Sequence, residues 1–148
     1  MEIIYTGWFV SPDALYDAVK DFAPNRLEQP AQQPHVTLEF RPQEINTALL
    51  GSPARLTVTG YANDGENEGI SVTVEQNQPA LASQLDTLSR PHITLSVSAE
   101  GKPVNTARLD FRPVPPRTLT GTFGAFTEEG TVAFSPEEIG CPMSNPSL

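Results

Sequence analysis

Pro34-His35-Val36-Thr37-Leu38-Glu39-Phe40-Arg41 is answered further along the chain by Pro91-His92-Ile93-Thr94-Leu95-Ser96-Val97-Ser98. Side chains of a strand alternate between its faces. His35, Thr37, Glu39 and Arg41 then share one face of the first stretch, and Val36, Leu38 and Phe40 share the other. In the second, His92, Thr94, Ser96 and Ser98 oppose Ile93, Leu95 and Val97. Each stretch predicts a strand with an apolar side for the core and a wholly polar side. The chain has two histidines, and they head these two strands.

The likeness extends beyond the strands. Ile45-Asn46-Thr47-Ala48 matches Val104-Asn105-Thr106-Ala107, and Thr57-Val58-Thr59-Gly60 matches Thr118-Leu119-Thr120-Gly121. Matches in one order at nearly constant separation point to an internal duplication. The expected fold is α+β and bilobal: two pseudo-symmetric β-sheet lobes with flanking helices around a central cleft. That cleft is the natural site.

The remaining elements fit this frame. Ile3 to Val10 reads as a strand, with Tyr5, Trp8, Phe9 and Val10 supplying β-favouring bulk. Ser11-Pro12-Asp13 announces a helix, with Ser as N-cap and Pro at the first helical position. Leu15, Val19 and Phe22 follow at helical spacing, and Pro24 closes the element. Asn25 to Gln33 is a polar loop and Glu44 to Leu50 a short helix. Leu56 to Ala62 and Ile70 to Glu75 form a hairpin about the turn Asn63 to Gly69. This acidic turn lacks the ligand sequence of a calcium loop. Pro79 to Leu88 is helical by pattern, and Thr118 to Phe126 with Thr131 to Phe134 make a last hairpin. Residues 1–135 form one expected domain of two repeats, and 136–148 an expected loose tail.

Composition narrows the function. The chain of 148 residues carries 9 basic and 18 acidic side chains, a formal net charge of −9. Gripping a long nucleic acid needs Lys and Arg that displace counterions from many phosphates. No basic run supplies them, so extended nucleic-acid binding is not expected. The balance suits a small ligand with one or two phosphates, held in a locally basic cleft. No apolar run approaches the ~20 residues of a membrane helix. Met1-Glu2-Ile3-Ile4-Tyr5 shows no basic signal segment. Cys141 stands alone, which excludes an intrachain disulfide and fits a cytoplasmic setting. A monomer is expected.

Two imidazoles and two hydroxyls converging on a cleft suit in-line displacement at phosphorus. One imidazole must be neutral to take a proton from water, while the other is protonated to give one to the leaving oxygen. An intrinsic pKa of about 6.5 lets both forms coexist near neutral pH. Thr37 and Thr94 can donate to the non-bridging oxygens where charge builds. No metal or cofactor enters this scheme, and two His with no Asp or Glu at ligand spacing around them fall short of a metal site. A single His-x-Thr is ordinary strand chemistry on a solvated face. Its repetition on matched strands is harder to explain by folding alone, because a polar face does not need histidine.

The paired motifs His35-x-Thr37 and His92-x-Thr94 resemble those of the 2H phosphoesterase superfamily over nearly the whole chain, up to the tail. Tyr5-Thr6-Gly7, Gly60 to Gly65 and Gly121-Thr122-Phe123-Gly124 look closest to its small RNA-repair-like group, the Swiss Army Knife group. The resemblance implies a bilobal α+β fold and His35 and His92 as the catalytic pair. It also implies metal-independent cyclic phosphodiesterase, 2'-5' ligase-like or oligonucleotide-trimming activity. The expected partner is a small nucleotide or an RNA 3'-end bearing a cyclic phosphate. The alternatives are a hydrolase of 2'-5' linked or cyclic oligonucleotides and a nucleotide-binding module without turnover.

Three further residues are substrate-binding candidates. Tyr5 and Trp8 lie on opposite faces of a regular first strand, so at most one can stack on a base; core packing is the competing role. Arg41 shares the histidine face and can meet a phosphate or form a salt bridge near Glu39. Arg90 and Lys102 read as solvated charges.

Overall fold

The β-favouring residues at the start of the chain build β1 (Ile3–Phe9) in the computed structural model, which describes residues 2–139. The Ser11 side chain then accepts from the Ala14 amide and caps α1 (Pro12–Val19), which buries Leu15 and Val19. The helix stops before the expected Pro24, passing into a turn in which the Phe22 and Ala23 amides donate to the Val19 carbonyl. The loop that follows is not wholly irregular, because Gln29–Pro30 forms a short strand, β2. The motif strands are β3 (His35–Phe40) and β6 (His92–Val97). Between them lie a 3-10 turn at Thr47–Leu49, the hairpin β4 (Pro53–Asn63) and β5 (Asn67–Glu75), and α2 (Pro79–Asp86). A 3-10 segment (Pro103–Arg108), the long β7 (Arg112–Thr127), β8 (Val132–Ala133) and a 3-10 turn at Pro136–Ile139 complete the described chain. Of the expected loose tail, residues 140–148 lie outside the described residues.

The strands belong to one large antiparallel sheet with few helices, in the order β2-β6-β5-β4-β7-β1-β3, with β8 paired to β7. Instead of two separate sheets, β4 and β7 join the halves through a long ladder whose register shifts after Val58. Trp8, Leu15, Val36, Leu56, Ile70, Ile93, Leu95 and Phe123 are among the buried residues that form the core. The prolines Pro113, Pro115 and Pro116, which precede the expected strand Thr118 to Phe126, sit inside β7. They are tolerated because β1 pairs with β7 only from Thr122 onward, leaving this stretch with one neighbour.

The pairing of the motif strands is the same in both halves. Phe9, Trp8 and Gly7 face His35, Val36 and Thr37; the register then slips, and Thr6 faces Glu39. Ser71, Ile70 and Gly69 face His92, Ile93 and Thr94; the register slips again, and Glu68 faces Ser96. Leu38 and Leu95 are thus the extra residues of two β-bulges. Gly7 permits the close approach, since a Cβ there would overlap the Val36 carbonyl oxygen; at Gly69 a Cβ would overlap the Thr106 methyl group. On the joining ladder, Thr57 faces Thr118, flanked by Leu56 with Leu119 and Val58 with Arg117.

Although β3 and β6 stand far apart in the sheet order, their Cα atoms come within 8 Å. The sheet curls, and the motif strands meet across its opening.

Candidate active site

His35, Thr37, His92 and Thr94 all line one cavity of about 800 Å³. One wall is the segment Gln29 to Pro34 and another includes Pro103, Val104 and Ala107. The two imidazoles are held alike. His35 Nδ1 lies 2.8 Å from the Gln33 carbonyl oxygen, and His92 Nδ1 lies 2.9 Å from that of Arg90. A carbonyl only accepts, so each Nδ1 carries a proton and each Nε2 is left to take one up or give one away. Neither Nε2 has a hydrogen-bond partner among the described residues.

The surroundings of the two rings differ. Tyr5 stacks on His35 with centroids 4.5 Å apart, and Phe9 packs against the same ring at 5.2 Å. The Tyr5 hydroxyl lies 3.3 Å from His35 Nδ1. Burial lowers the His35 pKa below the ordinary value; the Gln33 carbonyl opposes this, and a charge on His92 adds to it. Burial also pushes the Tyr5 phenol up to about 12, so it stays protonated. The Thr94 hydroxyl donates to buried Thr106 Oγ1 at 2.8 Å, and Asn67 Nδ2 donates to the same oxygen at 3.0 Å. Thr94 is therefore fixed from behind by two residues whose role the sequence pattern does not disclose.

Beside the cavity lies a buried charge. Glu68, with 0% of its side chain exposed, accepts from Arg26 Nη1 at 3.1 Å, Ser96 Oγ at 2.7 Å and the Tyr61 hydroxyl at 2.5 Å. Ser96 Oγ in turn accepts from the Leu27 amide at 2.9 Å, and the Ala31 amide donates to the Leu95 carbonyl at 2.9 Å. The segment that becomes a cavity wall is thereby fastened along β6. Desolvation and the Glu68 contact raise the Tyr61 pKa to about 12.

Several expectations need correction. Trp8 is fully buried in the core, and its Nε1 has no partner among the described residues, so it cannot meet a substrate. Tyr5 is not part of the cavity lining; it backs His35 instead. Arg41 also stands outside the lining, pairing with Glu2 and lying over the Phe40 ring. Its backbone has a positive φ of 47°, which turns the chain out of β3. Arg90 donates to the Leu109 carbonyl and is not simply solvated. The simple alternation also fails after the β3 bulge. Phe40, expected in the core, is 66% exposed and lines the cavity; Val97, its counterpart five residues after His92, reaches the lining too but stays buried. Glu39 turns instead toward Gln84 of α2. The lining is not basic, for it contains neither Lys nor Arg. Isolated glycines within strands signal bulges, so Gly7 and Gly69 carried the clue.

Among the described residues no three His, Cys, Asp or Glu side chains gather into a metal-binding group, and no helix is long and apolar enough to cross a membrane. No protein-family model matches this chain, and no curated protein matches it significantly.

Proposed function

We propose that this chain is a 2H phosphoesterase-like hydrolase that opens a 2',3'-cyclic phosphate or a related small cyclic phosphodiester, with no metal taking part. The observation that carries the reading is the pair of imidazoles, each pinned at Nδ1 by a carbonyl and each lining the same cavity. His35, favoured neutral by its aromatic surroundings, takes a proton from the attacking water through Nε2. His92 gives a proton to the leaving ribose oxygen. Thr37 and Thr94 donate to the non-bridging oxygens, Thr94 doing so once its hydroxyl rotates and Thr106 donates to it. Phe40 offers an exposed ring to the rest of the ligand.

The same proposal takes the halves as duplicated lobes related by a pseudo-two-fold. Matching bulges opposite Gly7 and Gly69 support this, as do the central β4–β7 pairs, Leu56 with Leu119 and Val58 with Arg117, which exchange about Thr57–Thr118 before the register shifts beyond Val58. It also includes action as a cytoplasmic monomer, consistent with a single cysteine in the chain.

The test is hydrolysis of 2',3'-cyclic mononucleotides and 2'-5' dinucleotides in EDTA. Cyclic mononucleotides are the expected substrates. His35→Ala and His92→Ala should each lower kcat/KM at least ~100-fold, the usual contribution of general acid/base catalysis. Turnover undiminished in either variant removes that histidine from the mechanism.

A further inference from the structure

The cavity holds few charges. Of its lining residues, only His35 and His92 can become ionised. The rest are amides, hydroxyls and apolar groups, including Phe40, Val97 and Val104. Nearby cations are engaged elsewhere: Arg26 with Glu68, Arg41 with Glu2, and Arg90 with the Leu109 carbonyl. Lys102 and Arg108 adjoin the lining residues Pro103 and Ala107 in sequence, but both are exposed and neither is part of the lining. Residues 140–148 contain no Lys, Arg, Asp or Glu.

In the working state of the proposed reaction one histidine is protonated and the other is neutral. The site then carries a single positive charge, which balances one phosphodiester anion. A second phosphate on the ligand would find no counter-charge in the lining, within a protein of net charge −9. We infer that this site selects phosphodiesters with one negative charge, such as a 2',3'-cyclic nucleotide with a free 5'-hydroxyl, and rejects those bearing a 5'-phosphate or pyrophosphate. The inference rests on the two-histidine reading and narrows its substrate class. It has a second consequence for turnover. Water adds across the cyclic P–O bond, the leaving ribose oxygen takes a proton, and the product is a phosphomonoester. Near neutral pH such a group carries a charge of about −1.5 to −2, so the product fits the site less well than the substrate.

The experiment compares a 2',3'-cyclic mononucleotide with its 5'-phosphorylated form, in both kcat/KM and calorimetric affinity. The unphosphorylated form should be preferred by ~10-fold or more, the direction expected for uncompensated charge. Val104 is 74% exposed, so Val104→Lys adds a cation at the cavity without a core cost, and should narrow the preference several-fold. Equal turnover and affinity for the two ligands would overturn the inference and leave the two-histidine mechanism standing. If neither is hydrolysed but the affinity preference and its response to Val104→Lys remain, the proposed reaction fails and the charge selection survives.

Discussion

Glu68→Ala removes one carboxylate and leaves three donors without their acceptor. In the wild-type protein that carboxylate receives Arg26, Ser96 and Tyr61 at 2.5–3.1 Å, and none of it is exposed. Removing one partner of a buried ion pair costs about 3–5 kcal/mol, because the remaining charge is stranded. Arg26 keeps 13% of its side chain exposed, so some water can reach it. The expected loss is therefore at the lower end, ~3 kcal/mol. A domain whose total stability is about 5–15 kcal/mol would feel this strongly. Urea denaturation should show a lower midpoint with an unchanged slope. The double change Arg26→Met/Glu68→Leu should be less damaging than Glu68→Ala, since it strands no charge. Amide exchange at Leu27 and Ala31 should quicken in Glu68→Ala, as their segment loses its fastening to β6. A loss under ~1 kcal/mol, the worth of a surface pair, would refute the claim that this network holds the wall.

Gly7→Ala should part β1 from β3 and displace His35; a misplacement on the order of 1 Å costs ~100-fold in rate, so a well-folded variant with full turnover would discard the bulge as a positioning device. The His35 pKa is lowered by folding, so the unfolded chain binds the proton more readily and stability should fall as pH drops from the ordinary 6.5 through the folded value. Midpoints measured between pH 8 and 5 should slope less in His35→Gln, and an unchanged slope counts against the assigned environment. Asp64 acts in the same sense at lower pH: its carboxylate accepts from the Asn67 and Glu66 amides, which lower its pKa, so its contribution is present above 3.8 and lost on acidification through the folded value. Asp64→Asn should flatten that acid limb. The salt dependence of kcat/KM for a mononucleotide should stay shallow, with a log–log slope of roughly −1 to −2 or less; a slope steeper than about −4 would reveal a basic groove.

The two histidines, their threonines and the alternation near them were legible because strand periodicity is local, and both strands run undistorted as far as Thr37 and Thr94. Beyond those residues the alternation breaks, since a bulge is decided by the neighbouring strand as much as by the strand itself. Phe40 was thus assigned to the wrong face. Trp8 and Arg41 illustrate another limit: residue type suggested a ligand contact, whereas partners distant in sequence, the core and Glu2, determine where each lies. Glu68 read as part of a turn. Its burial depends on Arg26, Tyr61 and Ser96 arriving from three other segments, which no periodicity encodes.

The curl that brings β3 near β6 also bears on how the protein avoids sticking to itself. A strand that ends a sheet presents unpaired amides and carbonyls, a template on which another chain can add. β3 is such a strand, paired only with β1, but it starts after Pro34, ends in the Arg41 turn and lies close to β6. β6 is sheltered in turn by β2, whose Pro30 cannot donate to a further ladder. Loosening the 26–33 segment would therefore do more than widen a cavity. It would bare the edge of β6 to other copies of the chain, so aggregation at high concentration should accompany any variant that frees this wall.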